Sequence, residues 1–306
     1  AAGLAAVGLW AASVAVCRLL TEPLGPMTTG MLTYTLAGAA GCAVQYTRAG
    51  ERAKLRRLPG RYLLGCGALF VFYAVVFDLM VGLSPRRDQV PGVALINYLW
   101  PALTLVLSIP LLGARPRWLF PLGVGMALAG VALVLLPPGQ RTLSGVVAGV
   151  AANPWGCFFA ACAAGGWAVY SNLTRRWGGA ARGGAAPLFM LVAGLAMIPL
   201  RQVRGEVSQW SLALAGPLAL NVIGTTLLPY WLWDVAMRRG NVTASASGAY
   251  AIPVLATAIS CAVLQVRPSP SLFVAAGLVV AGAVICRLTL RTAQQQDMNG
   301  TNVTKK

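Results

Sequence analysis

The chain repeats itself. Positions 90–133 align on positions 242–285 without a gap, at a constant offset of 152, and about a dozen residues coincide. Tyr98 falls on Tyr250, Pro101 on Pro253, Leu103 on Leu255 and Ser108 on Ser260. Arg115-Pro116 falls on Arg267-Pro268, Gly125 on Gly277 and Ala129-Gly130 on Ala281-Gly282, while Arg86-Arg87 meets Arg238-Arg239. The repeated stretches are almost wholly apolar. Duplicated bundles of membrane helices are the usual architecture of secondary transporters, whose substrate site lies between the halves.

Composition agrees with a membrane setting. Hydrophobic residues make up 58% of the 306, charged residues 10%, and the mean hydropathy is +0.71. A hydrocarbon core takes about 20 helical residues to cross. Ten runs meet that length, near 2–20, 27–46, 61–82, 90–112, 117–137, 153–174, 185–203, 212–236, 241–265 and 270–290. The expected fold is an all-α integral membrane protein of ten transmembrane helices in two inverted five-helix repeats. Its units are residues 1–137, an external linker 138–152, a second repeat 153–292 and a disordered cytoplasmic tail 293–306.

Orientation follows from the loop arginines and lysines. The 47–61 loop is the most basic, and the loops at 113–117, 174–184 and 237–240 and the C-terminal tail fall on its side. That side is therefore expected to be cytoplasmic, with both termini on it. Five crossings per half is an odd number, so the second half must enter upside down. The net charge of +17 comes from these loops. They suit anionic lipid head groups, and no groove-sized basic cluster with stacking aromatics points to nucleic acid. The chain begins inside an apolar run without Met; a short N-terminal stretch is expected to be missing, and no cleavable signal peptide is evident.

Polar residues inside apolar runs mark candidate chemistry. Asn97, Trp100, Thr104 and Ser108 recur at steps of three and four and share one helix face. Pro101 removes a backbone hydrogen bond there and Pro253 repeats the device, so both are read as hinges. The sixth crossing carries Trp167, Tyr170, Ser171 and Asn172; the eighth carries Asn221, Thr225, Thr226, Tyr230, Trp231 and Asp234. Tyr73, Trp100, Trp167, Tyr98 and Tyr250 lie deep, whereas Trp118, Trp155, Trp177 and Trp210 read as interfacial anchors. The expected pocket is Tyr73, Asn97, Tyr98, Trp100, Trp167, Asn172, Tyr230 and Tyr250. Rings there would pack on an apolar group and attract an ammonium, while an amide or hydroxyl fixes a carboxylate. The competing use of such polar residues is to join helices.

The chain has no histidine, which removes histidine bases and most zinc sites. No metal, cofactor or catalytic residue is expected. The seven cysteines form no CxxC pair and read as small packing residues. Asp78 and Asp234 are the carboxylates within apolar runs, each near a helix end, and Asp234 precedes Arg238 by four residues. With no carboxylate expected at the membrane centre, facilitated diffusion is favoured over proton coupling. GxxxG-like spacings around Gly38, Gly123 and Gly130 are too common in such helices to be read singly.

With ten crossings, a five-plus-five inverted duplication and both termini inside, the chain resembles the EamA-type branch of the drug/metabolite transporter superfamily. Two stretches narrow the resemblance to its aromatic amino acid exporters: Ala94-Leu-Ile-Asn97-Tyr98-Leu-Trp100-Pro101, and Pro229-Tyr230-Trp231-Leu232-Trp233-Asp234 continuing to Asn241-Val242. The resemblance implies export of aromatic and other neutral amino acids across a bacterial inner membrane, from a cavity bounded by both halves. Many members carry an acid after the Gly that closes the fourth or ninth crossing. Here Ala114 follows Gly113 and Val266 follows Gln265, which speaks against a mechanism relying on that acid.

Three alternatives stand beside this reading. A multidrug or other metabolite exporter of the same superfamily, proton-coupled in one version, is the nearest. An intramembrane enzyme would need a Ser-His pair, a metal cluster or paired acids, which the sequence lacks. A membrane receptor or scaffold without flux has no evident use for an inverted duplication. The expected partners are the lipid bilayer and a small amino acid, with no nucleic acid and with a monomer sufficient.

Overall fold

A computed structural model describes residues 2–47, 49–137, 142–178, 185–232 and 249–291. The expectations for Trp233, Asp234, the start of the ninth crossing and the tail 293–306 lie outside these residues. The described chain is helical. Its one strand pairing is a two-residue antiparallel ladder, with β1 (Arg115–Pro116) against β2 (Leu290–Arg291).

The first apolar run forms α1 (Ala2–Ala11) and α2 (Ser13–Leu24), and Gly25 at φ 85° turns the chain into α3 (Pro26–Tyr46). The basic loop that follows holds α4 (Ala49–Arg56). A π-helical turn, Tyr62–Cys66, leads into α5 (Gly67–Gly82). The fourth run is broken, giving α6 (Val90–Asn97) and α7 (Trp100–Leu112), before α8 (Phe120–Leu135). Beyond the junction come α9 (Leu143–Ala152), α10 (Pro154–Trp177) and α11 (Ala186–Arg204). Next are α12 (Leu212–Leu232), π-helical over Leu220–Leu227, then α13 (Ile252–Val263) and α14 (Pro270–Leu288).

Six segments are long and apolar enough to cross a membrane: Ala2–Leu24, Tyr62–Gly82, Arg87–Leu112, Ala186–Arg204, Leu212–Leu232 and Pro270–Leu288. The α9–α10 pair, bent by 97°, makes a seventh if counted as one span. The stretches Phe120–Leu135 and Ala249–Val263 are apolar but shorter than a spanning helix. The second half of the segment read as a linker is thus a helix, capped by Thr142, whose Oγ1 accepts from the Gly145 N–H at 3.3 Å. Asn153 caps α10 in the same way at 3.0 Å.

Two helix pairs carry the packing. In the first, α3 runs antiparallel to α11. A Cβ on Gly38 would strike the Leu191 backbone, one on Gly194 the Thr35 backbone, and one on Gly41 would lie 2.9 Å from Pro187. In the second, α8 runs antiparallel to α14. A Cβ on Gly123 would lie 2.7 Å from the Gly282 carbonyl, and one on Gly130 2.7 Å from that of Ala275. Small residues let the backbones touch, which is how apolar helices gain contact energy in lipid, where no water is expelled. Because α8 and α14 are antiparallel, Arg115 (before α8) and Arg267 (before α14) lie at opposite ends of the bundle. Further contacts join the two parts of the chain: α10 lies against α5 and α7, and α1 and α2 lie against α13 and α12.

The repeated prolines hold one local position. Pro101 and Pro253 each occupy the first turn of a helix, α7 and α13. A proline costs little there, since its missing N–H has no partner in a first turn. Gly113 and Gln265, also 152 apart, follow those helices in the left-handed region at φ 68° and φ 57°. The duplication therefore extends to backbone conformation even where the side chain differs.

Candidate functional site

A cavity opens among α1, α2, α3, α5 and α12. Trp10, Ser13 and Cys17 line it from the first run, Thr33 and Tyr34 from α3, and Tyr73, Phe77 and Asp78 from α5. Across from them, α12 supplies Asn221, Thr225, Thr226 and Tyr230. The wall is thus drawn from both sides of the junction at 138–141. Trp10 meets Tyr230 edge-on at 5.4 Å, a ring contact between the two parts of the chain.

The polar part of the wall is ordered by hydrogen bonds. Asn221 Nδ2 donates to Thr33 Oγ1 at 2.8 Å, and the Thr225 hydroxyl donates to Asn221 Oδ1 at 2.9 Å and to the Asn221 carbonyl at 3.0 Å. The Thr33–Asn221 bond joins α3 to α12. On the other side the Cys17 thiol donates to Asp78 Oδ1 at 3.2 Å. Asp78 is 3% exposed, and its Oδ2 has no hydrogen-bond partner. A Cβ on residue 30 would lie 2.5 Å from that oxygen, so the carboxyl occupies room that Gly30 leaves.

Of the eight residues expected in the pocket, Tyr73 and Tyr230 line this cavity. Trp167 and Trp100 stand behind Tyr73: the Tyr73 and Trp167 centroids are 4.5 Å apart, and those of Trp167 and Trp100 are 6.4 Å apart. Asn172 is fully buried and donates to the Thr104 and Ala168 carbonyls, both at 2.9 Å, so it fastens α10 to α7. Asn97 and Tyr98 are buried at the break between α6 and α7, and neither Asn97 Oδ1 nor the Tyr98 hydroxyl finds a protein partner. Tyr250 lies outside the cavity under Arg287, whose guanidinium carbon is 5.8 Å from the ring centroid.

The sequence reading missed much of the wall. The sequence places Asp78 near a helix end; the structure buries it there against the cavity. The reason is geometric. α5 ends at Gly82, and its last turn is covered by α2, where Arg18 Nη1 donates to the Val81 and Ser84 carbonyls at 2.8 Å each. Trp10, Thr33 and Tyr34 carried no spacing signal. Asn221, Thr225 and Thr226 stand out in the sequence only as polar residues within the eighth apolar run.

Helix ends opposite the basic loops are tied across the junction. Glu206 accepts from the Met27 and Thr28 backbone N–H groups at 3.0 and 2.9 Å, at the start of α3. A carboxylate is favourable at a helix N-terminus. Arg201 donates to Thr28 Oγ1 at 2.8 Å, and the Ser208 hydroxyl to the Leu24 carbonyl at 2.7 Å. The described residues hold no group of three or more acidic or cysteine ligands that could bind a metal.

Comparison with known proteins fits this geometry. The EamA-like transporter family matches residues 1–136 and again 154–288. The chain is 31% identical over 296 residues to a protein of Salmonella typhimurium named aromatic amino acid exporter YddG, covering 94% of this chain and 96% of that one. It is 30% identical to the proteins of that name from Escherichia coli K12 and Ancylobacter novellus, at the same coverage. A protein of known crystal structure superposes with a TM-score of 0.66 at 28% identity, covering 94% of this chain and 95% of that one. An apolar helical bundle, a walled cavity and a family match over both parts of the sequence converge: the chain belongs to the EamA-like transporter family and is a multi-pass membrane transporter, not an enzyme.

Proposed function

We propose that the chain exports aromatic and other neutral amino acids across a bacterial inner membrane, by alternating access of the cavity between two oppositely inserted halves. The cavity wall carries the proposal: Trp10, Tyr34, Tyr73, Phe77 and Tyr230 offer rings, and Asn221, Thr225 and Thr226 offer amide and hydroxyl groups. The names of the relatives point to the same substrates.

The ten-crossing scheme is part of the proposal. The six long spans, α10, the two shorter apolar helices and the 21-residue α3 add to ten. Antiparallel packing of α3 on α11 and of α8 on α14 pairs equivalent helices and supports inversion. The domain units 1–137 and 153–292, cytoplasmic termini and hinges at Pro101 and Pro253 belong to the same reading. Tyr73 and Tyr230 are proposed to touch substrate. Trp100 and Trp167 support Tyr73, while Asn97, Tyr98, Asn172 and Tyr250 act at the helix contacts that must shift between states.

Counterflow of labelled tryptophan, phenylalanine and threonine in proteoliposomes tests the substrate assignment. The parent should exchange the aromatic amino acids, and Tyr73→Ala and Tyr230→Ala should each slow exchange at least tenfold. Full flux in both variants would move the pocket elsewhere. Facilitative flux is the form proposed. Proton coupling is the second reading, and the buried Asp78 favours it. Uphill accumulation driven by an imposed pH gradient would select the second.

A further inference from the structure

We propose that Asp78 is the cation-recognising group of the cavity, taking the ammonium group of the substrate. This rests on the reading that the cavity binds an amino acid. A carboxyl group removed from water is compensated by a cation, by several hydrogen bonds or by taking up a proton. Asp78 is 3% exposed and has one hydrogen bond, from the weak Cys17 donor at 3.2 Å. Among the described residues no ion pair includes it, and its second oxygen has no partner. Among the described residues, the cavity wall thus holds an acid and no base to match it. An ammonium would supply both the missing charge and the missing donors.

The surrounding wall accepts the rest of such a molecule. Tyr73 and Phe77 precede Asp78 on α5, and Trp10 and Tyr34 face them, so rings stand beside the carboxyl. A cation held there also gains from the ring faces. On α12, one N–H of the Asn221 amide is used by Thr33 and the other can reach a ligand carboxylate. An aromatic amino acid would then lie with its amine toward α5 and its carboxylate toward α12. That contact spans the two halves.

Three indoles separate the charges: tryptophan, tryptamine (amine without carboxylate) and indole-3-propionate (carboxylate without amine). Their binding is read as ligand-dependent thermal stabilisation of the purified protein and its D78N and D78E variants. For Asp78→Asn, affinity for tryptophan and tryptamine should fall at least tenfold while indole-3-propionate binds as to the parent. Asp78→Glu should keep tryptamine binding. Tryptamine binding equal in D78N and parent would overturn the proposal, as would an equal loss of all three ligands, which marks structural damage. Binding is measured without flux, so a parent that binds tryptamine through Asp78 yet exchanges no amino acid would sink the transport reading and leave the cation site standing.

Discussion

Gln265 holds a conformation that its side chain disfavours. At φ 57° it closes α13 as Gly113 closes α7 at φ 68°. A residue with a Cβ pays about 1–2 kcal/mol in this region, partly offset by the greater chain entropy a glycine loses on folding. No atom lies within 4 Å of the position a Cβ would take on Gly113, so the cost there is conformational and not steric. Gln265→Gly should stabilise the protein by about 0.5–1 kcal/mol and Gly113→Gln should destabilise it by a similar amount, as read by unfolding in detergent. Arg18 is the opposite case, a charge that is well used. It is 6% exposed, donates to two carbonyls at the end of α5 and to Glu22 at 2.9 Å, and Glu22 in turn accepts from Arg87 Nε at 2.8 Å. Arg18→Met should lower the unfolding free energy by about 2–4 kcal/mol, since it strands buried acceptors.

At the scale of elements, two glycine-lined pairs set how closely the helices approach. Gly38 and Gly194 seat α3 on α11, and Gly123 and Gly282 seat α8 on α14. Gly38→Leu should push α3 from α11 and disturb Thr33 and Tyr34 on the cavity wall. Loss of tryptophan binding with a lowered unfolding temperature is the expected pair of readouts. Gly125→Leu, with no atom within 4 Å of its Cβ position, is the control and should leave both unchanged. These glycines stand among 35, and spacing alone does not single them out. Helix existence was legible from apolar length, and the break at Tyr98 from Pro101. The α9 helix was not legible, because Leu143–Ala152 is too short to read as a crossing and lies in what looks like a loop.

For the whole molecule, the decisive prediction concerns sidedness. If the halves are inverted, cysteines introduced as Arg115→Cys and Arg267→Cys react with an impermeant thiol reagent from opposite sides of the membrane, in a background free of native reactive cysteines. Reaction of both from one side would contradict the inverted scheme. The sequence by itself determined that the chain is a duplicated, apolar, helical membrane protein. Hydrophobic length, loop charge and a 152-residue offset are properties of a linear string, and they register each helix separately. It also flagged Tyr73, as a ring deep in its run, and Tyr230, in the aromatic stretch that begins at Pro229. The tertiary structure decided which side chains share the cavity. Trp10, Thr33, Tyr34 and Asp78 come together there because antiparallel packing of α3 on α11 and the cover of α2 over α5 set each helix's rotation. That rotation depends on how neighbouring backbones fit, and no single helix's periodicity records it.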